Sequence, residues 1–475
     1  MELLNKMAGK YKGIPVQAKA AFWYVVCSFF QRGISFITIP IFTRILSVYE
    51  YGMCSVFTSW SGIWENFAGL SLSCGVFNVG MIKYEKKRKQ FLASLQGLTC
   101  ISTVLCFLFC LLFHTGYYRL SGMEFKLTIL MFIQILSGSI LSLWYAYERY
   151  EYRYKGFLGV TMISSMAGPA LSVLCVLSSG DKVFARFEGI VIVQVMLCLL
   201  VCIYERVKVK EFIHLAYWKY ALSFNIPLIP HYLSATMLNS SDRIMISYFC
   251  GEEKTAFYGI AGSCSMVMQV LLSAINSSIT PWYFEQLKKR NYGNVRAWLN
   301  RIIGAFFCVT VLVTLFGPEL LGVLATKEYY DAVYLLPVVM SSVFFLFLYG
   351  LFANIEFYYE KKSYILLASV TAAVMNIVLN AVFIPVFDYY AAGYTTLACY
   401  IFYAAAHCCF AIKILKQEGM GPVFSVKYIA VISALLLMLV AVVCFLYQFM
   451  MIRYGIAFVL MIILKQLYKK QLKRN

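Results

Sequence analysis

Charge is scarce in this chain. Of its 475 residues only 13% are charged, about half the share usual in a soluble domain. The deficit is largest among acids, with 22 Asp and Glu against 41 Lys and Arg, and 61% of residues are hydrophobic. A soluble globular domain is thereby excluded. The sixteen cysteines form no CxxC pair, and Cys408–Cys409 is an isolated doublet. Neither a zinc site nor a secreted disulfide framework has the spacing it needs, and the thiols read as small apolar fillers. There is no long polar insertion to hold a catalytic domain, no metal cluster and no nucleophile constellation. An enzyme such as a glycan polymerase or ligase is therefore disfavoured, and no cofactor is expected.

What remains is a succession of apolar runs. Fourteen of them, each roughly 20 residues and so long enough to cross a bilayer as a helix, start near residues 20, 52, 91, 126, 157, 187, 220, 256, 302, 332, 364, 391, 428 and 451. The first, Ala21 to Leu46, is too long for a signal-peptide core and lacks a small-residue cleavage site; it is expected to be an uncleaved span. The net charge of +19 suggests cytoplasmic loops rather than nucleic acid. With the N-terminus inside, 31 of the 41 basic residues fall in inside segments and 7 in outside ones, leaving Arg32, Arg44 and Arg243 within spans. The expectation is a multi-pass protein of the bacterial cytoplasmic (inner) membrane with both termini cytoplasmic.

The chain also repeats itself. "TRILSVYEYG" (Thr43–Gly52) matches "DRIMISYFCG" (Asp242–Gly251), and "GMIKYEKKRK" (Gly80–Lys89) resembles "TPWYFEQLKKR" (Thr280–Arg290). Spans 1 and 2 are thus equivalent to spans 7 and 8. The copies are offset by six spans, an even number, which makes the repeats parallel. The division expected is an N-terminal six-helix lobe (1–210), a C-terminal six-helix lobe (211–418) and two additional helices with a basic tail (419–475). Both repeat arginines, Arg44 and Arg243, stand beside what reads as a glycine-ended turn.

Polar residues recur at helical spacing inside the spans. Gln31 and Arg32 share a stripe on span 1; Glu65 and Asn66 lie on span 2; Asn225, Tyr232, Asn239 and Arg243 on span 7; Gln269 and Asn276 on span 8. Ser, Thr and Gly in such stripes equally suit helix packing. Charges do not, because an Arg or Asp at mid-membrane costs about 2.5–3.5 kcal/mol on insertion scales and faces a cavity or a partner. Arg32 and Glu65 lie at matching depth, so mutual neutralisation and separate functional use both stand as readings. Arg44 points off its stripe unless Pro40 resets the face, and it is near enough to the interface to snorkel. Pro227 and Pro230 are expected to break span 7 beside His231, which reads as a proton site or as a packing group.

The segment "PLIPHYLSATMLNSSDRIMISYFCG" (Pro227–Gly251), followed by "TAFYGIAG", and "GISFITIPIFTRILSVYEYG" (Gly33–Gly52) resemble the polysaccharide-biosynthesis membrane proteins, the Wzx-type oligosaccharide-lipid flippases. The resemblance covers about residues 18–415. The wider superfamily includes MATE multidrug extruders and the lipid II flippase, which the two extra C-terminal spans resemble. It implies an all-α polytopic fold of two pseudo-symmetric six-helix lobes forming a V around a central cavity. It also implies a polyprenyl-pyrophosphate-linked oligosaccharide as substrate, moved outward by alternating access, in contact with membrane lipids; a polysaccharide polymerase and a chain-length regulator are candidate partners. On that reading Arg32, Arg44 and Arg243 attract the pyrophosphate, and Gln31, Asn66, Asn225, Tyr232, Asn239, Gln269 and Asn276 meet the sugars. Glu65, Asp242 and His231 are the candidates for ion coupling. The alternative on the same fold is a cation-coupled multidrug antiporter.

Overall fold

The computed structural model describes residues 15–206 and 212–472. The boundary expected at 210/211 and the basic residues Lys6, Lys10, Lys12, Lys208, Lys210, Lys473 and Arg474 lie outside the described residues. Among the described residues there is no strand.

In chain order the helices are α1 (Val16–Ile45), α2 (Val48–Ala68), α3 (Gly75–Lys83), α4 (Arg88–Leu112), α5 (His114–Ser121), α6 (Phe125–Tyr150), α7 (Tyr154–Ser178) and α8 (Lys182–Arg206). They continue as α9 (Leu215–Asn225), α10 (Ile229–Cys250), α11 (Glu252–Cys264), α12 (Met266–Lys288), α13 (Tyr292–Leu315), α14 (Gly317–Leu324), α15 (Leu336–Tyr358), α16 (Lys362–Phe387), α17 (Tyr390–Gln417), α18 (Val426–Leu446) and α19 (Met450–Leu472). Eleven helical stretches among the described residues are long and apolar enough to cross a membrane. Those eleven coincide with the expected spans other than the second, seventh and fourteenth. Helices lie at those three positions too, α2, α10 and α19, of 21, 22 and 23 residues; span 2 is interrupted between α2 and α3, and span 7 breaks into α9 and α10 through a 3-10 turn at Ile226–Leu228. The span 7 break falls where Pro227 and Pro230 remove amide donors, as expected.

The chain forms two compact units. One runs up to Leu46 and from Val56 to Thr236; the other comprises Ser47–Ser55 and the chain from Met237 onward. This is a division by compactness, whereas 210/211 is a division by repeat.

In the first unit α7 packs along α8 and α1, and α6 lies against α8 and α4. A Cβ on Gly189 of α8 would enter the backbone of α7 at Ser172, whose hydroxyl donates to the Arg186 carbonyl. Lipid supplies no hydrophobic drive between helices, so small residues that admit close backbone approach do this work. At one end of α1, Lys182 donates to the Ile45 carbonyl at 3.0 Å, and the Arg186 guanidinium lies 4.5 Å from the Phe42 ring centre. Cations there suit the exposed carbonyls of a helix C-terminus. Asp181 ties the same region together through Lys126 at 2.6 Å and the Phe184 amide at 3.1 Å. Burial pushes the Asp181 carboxyl up, but these two donors outweigh it and hold it below its ordinary value.

In the second unit α15 is the central helix, packed against α17, α13, α18 and α12. Phe306 stacks on Phe347 at 4.3 Å within it. The last helix is fastened by a bidentate pair: Arg453 donates to both Glu319 oxygens at 2.9 Å and to the Leu315 carbonyl at 2.6 Å. Burial pushes the Glu319 carboxyl up, and the Arg453 and Tyr454 donors bring it back below its usual value.

Four turns among the basic segments close alike. The amides of Arg153, Asn291, Lys361 and Met420 donate to the carbonyls of Glu148, Gln286, Glu356 and Leu415. That is the six-to-one bond of a Schellman end, with Tyr152, Arg290, Glu360 and Gly419 in the left-handed conformation.

The glycine-ended turn expected beside both repeat arginines needs correcting. The turn after α1 is closed by a capping box, in which the Ser47 amide donates to Glu50 at 2.7 Å and the Glu50 amide to the Ser47 hydroxyl at 3.2 Å. Gly52 lies inside α2, where a Cβ would be driven into the Glu252 carbonyl. Gly251 is the true turn glycine, with φ of 89° at the start of α11.

Candidate functional site

The interruption of span 2 occupies residues 69–74. Leu70 and Ser71 are both left-handed, with φ of 51° and 48°. Two non-glycine residues in that region are costly and persist only where the surroundings impose them. Here the Asn225 amide imposes it by donating to the Leu70 and Ser71 carbonyls at 2.8 and 3.0 Å. Ser102 bonds the Ala68 carbonyl and Ser142 the Ser73 hydroxyl. Freed backbone in a membrane span is tolerated where protein or a cavity receives it.

A cavity of about 240 Å³ adjoins this loop within the first unit, lined by Glu65, Asn66, Ser71, Ser73, Ser142 and Thr236 among others. Asn66 donates to the Gly62 carbonyl at 2.8 Å and to Thr236 at 2.9 Å. Glu65 is exposed and, among the described residues, is not one of the carboxylates held in an ion pair. Ser139 Oγ on the wall and Asn225 Oδ1 behind the loop are buried without a hydrogen-bond partner among the described residues. The surface is one of hydroxyls, amides and a single carboxylate, the chemistry that meets hydroxylated ligands.

The second unit holds a different arrangement. Asp242 of α10 is 2% exposed. Its carboxylate accepts from Asn380 at 2.6 Å, Thr396 at 2.7 Å, Asn376 at 3.3 Å and the Tyr258 hydroxyl. The four donors come from α11, α16 and α17, so the carboxylate ties three helices to α10. Four hydrogen bonds are what a buried carboxylate requires. Held by neutral amide and hydroxyl donors, the buried carboxylate is also suited to take up a proton. No group of three or more His, Cys, Asp or Glu spaced for a metal occurs among the described residues.

Arg243, the next residue, lines a cavity of about 80 Å³ together with Asp242, Gln269, Ser265 and Tyr400. Its guanidinium donates to the Asn239 carbonyl at 3.3 Å. A Cβ on Gly262 would sit 2.9 Å from Nη2, so this glycine leaves it room.

The expected site residues therefore fall into groups. Glu65 and Asn66 line the first unit's cavity, and Asn225 braces the loop beside it. Asp242, Arg243, Asn239 and Gln269 line the second unit's cavity. Asn276 of α12 lies 3.6 Å from the Cβ position of Gly350 on α15, and Tyr232 lies beside Gly75. Arg32 and His231 are half-buried and Gln31 is exposed. Arg44 is exposed and donates to the Pro40 carbonyl at 2.6 Å. Sequence reasoning missed Asn376, Asn380, Thr395 and Thr396. The pair "NIVLN", two amides four residues apart in an apolar helix, was the signal that could have found them.

Comparison with known proteins fits this architecture. The family described as polysaccharide biosynthesis protein matches residues 18–287, and the MatE family matches 227–382. A Haemophilus influenzae protein named Lsg locus putative protein 1 is 25% identical over 169 residues, 33% of this chain and 40% of that protein. The chain thus spans less than half of that relative's length. An uncharacterized membrane protein of the same organism is 24% identical over 364 residues, 74% of this chain and 86% of its own. Among solved structures, the lipid II flippase MurJ in an inward closed conformation superposes with a TM-score of 0.67 at 14% identity, covering 94% of this chain and 98% of that one. An inward-facing MATE multidrug resistance transporter follows at 0.62 and 13%, covering 82% and 96%. A MOP superfamily transporter from Pyrococcus furiosus gives 0.59 at 12% identity, covering 85% and 96%. At such identities the superpositions establish the fold, and the match over more than half of the sequence establishes the family: this multi-pass membrane chain belongs to the polysaccharide biosynthesis protein family.

Proposed function

We propose that the protein is a flippase that carries a polyprenyl-pyrophosphate-linked oligosaccharide from the cytoplasmic to the outer face of the cytoplasmic membrane, for cell-surface polysaccharide synthesis. The observation that carries this reading is the polar cavity at the break between α2 and α3. A chain that is 61% hydrophobic keeps Glu65, Asn66, Ser142 and Thr236 around an open volume inside its spans. Sugar hydroxyls would find donors and acceptors there. The family description and the flippase among the structural relatives support the same class of cargo.

The arginines take the anionic part. Arg243, and less directly Arg32 and Arg44, would draw the pyrophosphate, since a guanidinium donates two parallel hydrogen bonds to phosphate oxygens. An anionic head moving outward runs down an inside-negative potential by about 2.3 kcal/mol per charge per 100 mV. That gives direction without a coupled ion. Where an ion is used, Asp242 is the group best built to receive it.

A second reading has its own support. The MatE match contains Asp242, and a buried carboxylate would suit a cation-coupled multidrug antiporter. The two separate in a strain lacking the protein. Loss of a lipid-oligosaccharide flippase makes the lipid-linked glycan accumulate on the cytoplasmic leaflet, and restoring the gene clears it. Loss of an antiporter instead sensitises the strain to organic cations and leaves the glycan pool unchanged; that outcome would overturn the flippase reading.

A further inference from the structure

Glu356 and His407 form a pair that neither the cargo path nor the Asp242 cluster uses. Glu356 lies in the last turn of α15 and His407 in α17. Carboxylate Oε1 and imidazole Nδ1 are 2.7 Å apart, and both side chains are fully buried. The Tyr349 and Tyr403 rings each stand 4.7 Å from the imidazole and stack on each other at 4.2 Å.

We propose that this pair is a proton-binding site: it holds one proton while the Lys361 end of α15 and α17 is closed, and gives that proton to water when the end opens. The charge count leads there. With Nε2 protonated and one further proton shared between Oε1 and Nδ1 the pair is neutral overall, whichever of those two atoms carries it. Without it a net negative charge is left, and with a second a net positive one, and both are disfavoured away from water. On release, the proton passes to a water molecule and leaves a neutral imidazole beside an ionised carboxylate. That product is stable only when hydrated, so loss of the proton and wetting of the site go together.

The neighbours do not supply the missing charge. Among the described residues, the titratable side chains whose rings touch the imidazole are Tyr349 and Tyr403, with Cys408 next to His407 in the chain and Lys361 just past Glu356. From α12, Asn276 and Thr280 face α15 at Gly350 and Asn354. Phe306 of α13 lies on Phe347, and Phe424, just before α18, lies on Phe352. From α16, Tyr364 stacks on Phe410, with the Lys413 ammonium of α17 5.5 Å from that tyrosine ring. Among the described residues, each member's ion-pair partner is the other.

Two further atoms point to exchange with water. Glu356 Oε2 and His407 Nε2 are buried with no hydrogen-bond partner among the described residues. A closed structure that leaves a carboxylate oxygen and a ring nitrogen unsatisfied at one spot is one that water entering would relieve. The first half of the chain marks the difference. Glu148 closes the turn after α6 as Glu356 closes the turn after α15, yet α8 carries no histidine.

The test is hydrogen–deuterium exchange on the full-length protein in lipid nanodiscs between pH 5.5 and 9.5, corrected for the intrinsic rate. The segments read are 350–362 and 403–412. In the native protein, protection should fall at least tenfold through a single one-proton step. Glu356→Gln keeps the shape but carries no shared proton, and should show no step in this range. Native protection that stays flat, or an unchanged step in the variant, overturns the proposal. Should the variant fail to fold, nitrogen NMR of His407 in the native protein decides: the Nδ1 resonance must shift, as it loses the shared proton or the hydrogen bond that proton makes, in the same pH window as the protection, and a different window refutes the coupling. No transport substrate is involved, so failure here leaves the flippase reading standing.

Discussion

Arg44 and Arg243 occupy the same place in the two halves of the repeat, and both fold back onto the carbonyl four residues earlier, at Pro40 and at Asn239. Their surroundings part company there. Arg44 is exposed at the end of α1, with Thr43 before it. Arg243 is half-buried, lines a cavity, and follows an aspartate held by four donors. The repeat preserved a local conformation and diverged in everything around it. The second half places the charged pair Asp242–Arg243 on a cavity wall, where the first half has Thr43 and an exposed Arg44.

The comparison breaks most sharply at Asp242. Asp242→Ala strands four buried donors, each of which costs about 1–3 kcal/mol when unsatisfied. It should abolish export and lower the folded yield, whereas Thr43→Ala at the matching position of the first half should leave both near normal; glycan export and thermal unfolding of purified protein check this. The next largest effect belongs to the second half alone. Arg453→Ala leaves Glu319 without its bidentate partner and should cost about 3 kcal/mol, the low end for a buried pair because Glu319 is partly exposed. Limited proteolysis should then release α19 first.

The two repeat glycines give a smaller contrast. Gly52→Ala forces a Cβ into the Glu252 carbonyl and should cost about 2 kcal/mol by overpacking. Gly251→Ala meets no atom, and its loss of about 1–3 kcal/mol comes from the backbone alone, since φ 89° with ψ 174° is a region essentially confined to glycine. Denaturant unfolding checks both; no loss for Gly52→Ala would show that the Glu252 contact yields.

The smallest effect is electrostatic. Asp181 and Glu319 are held below their ordinary values of 3.8 and 4.5. Their contribution is therefore present above those values and lost as pH falls through the lower, folded ones. Thermal stability should be flat from pH 7 to 5 and decline below pH 4. Lys126→Ala should lower the pH 7 melting temperature only slightly, since that pair is largely exposed.

Much of this was legible from the sequence because membrane spans obey simple rules. Length and apolarity located the helices, Pro227 and Pro230 located the break in span 7, and the two pairs of matching segments exposed the repeat. What stayed hidden depended on neighbours distant in sequence. The break at 69–74 has no proline and is imposed by Asn225, more than 150 residues away. Gly52 reads as a turn residue until the Glu252 backbone is seen against it. Asp242 reads as one charge among several until Asn376, Asn380 and Thr396 close around it.

The central claim is that the second half's arginine serves cargo while the first half's stands at the margin. It is tested most directly by measuring lipid-linked oligosaccharide on the cytoplasmic leaflet in strains carrying Arg243→Ala, Arg243→Lys or Arg44→Ala at matched protein levels. The account predicts at least a tenfold loss of export for Arg243→Ala, partial rescue by Arg243→Lys, which keeps the charge without the two-pronged geometry, and a loss of no more than about threefold for Arg44→Ala, whose side chain can reach the interface. Normal export by Arg243→Ala, or equal losses at both arginines, would contradict it.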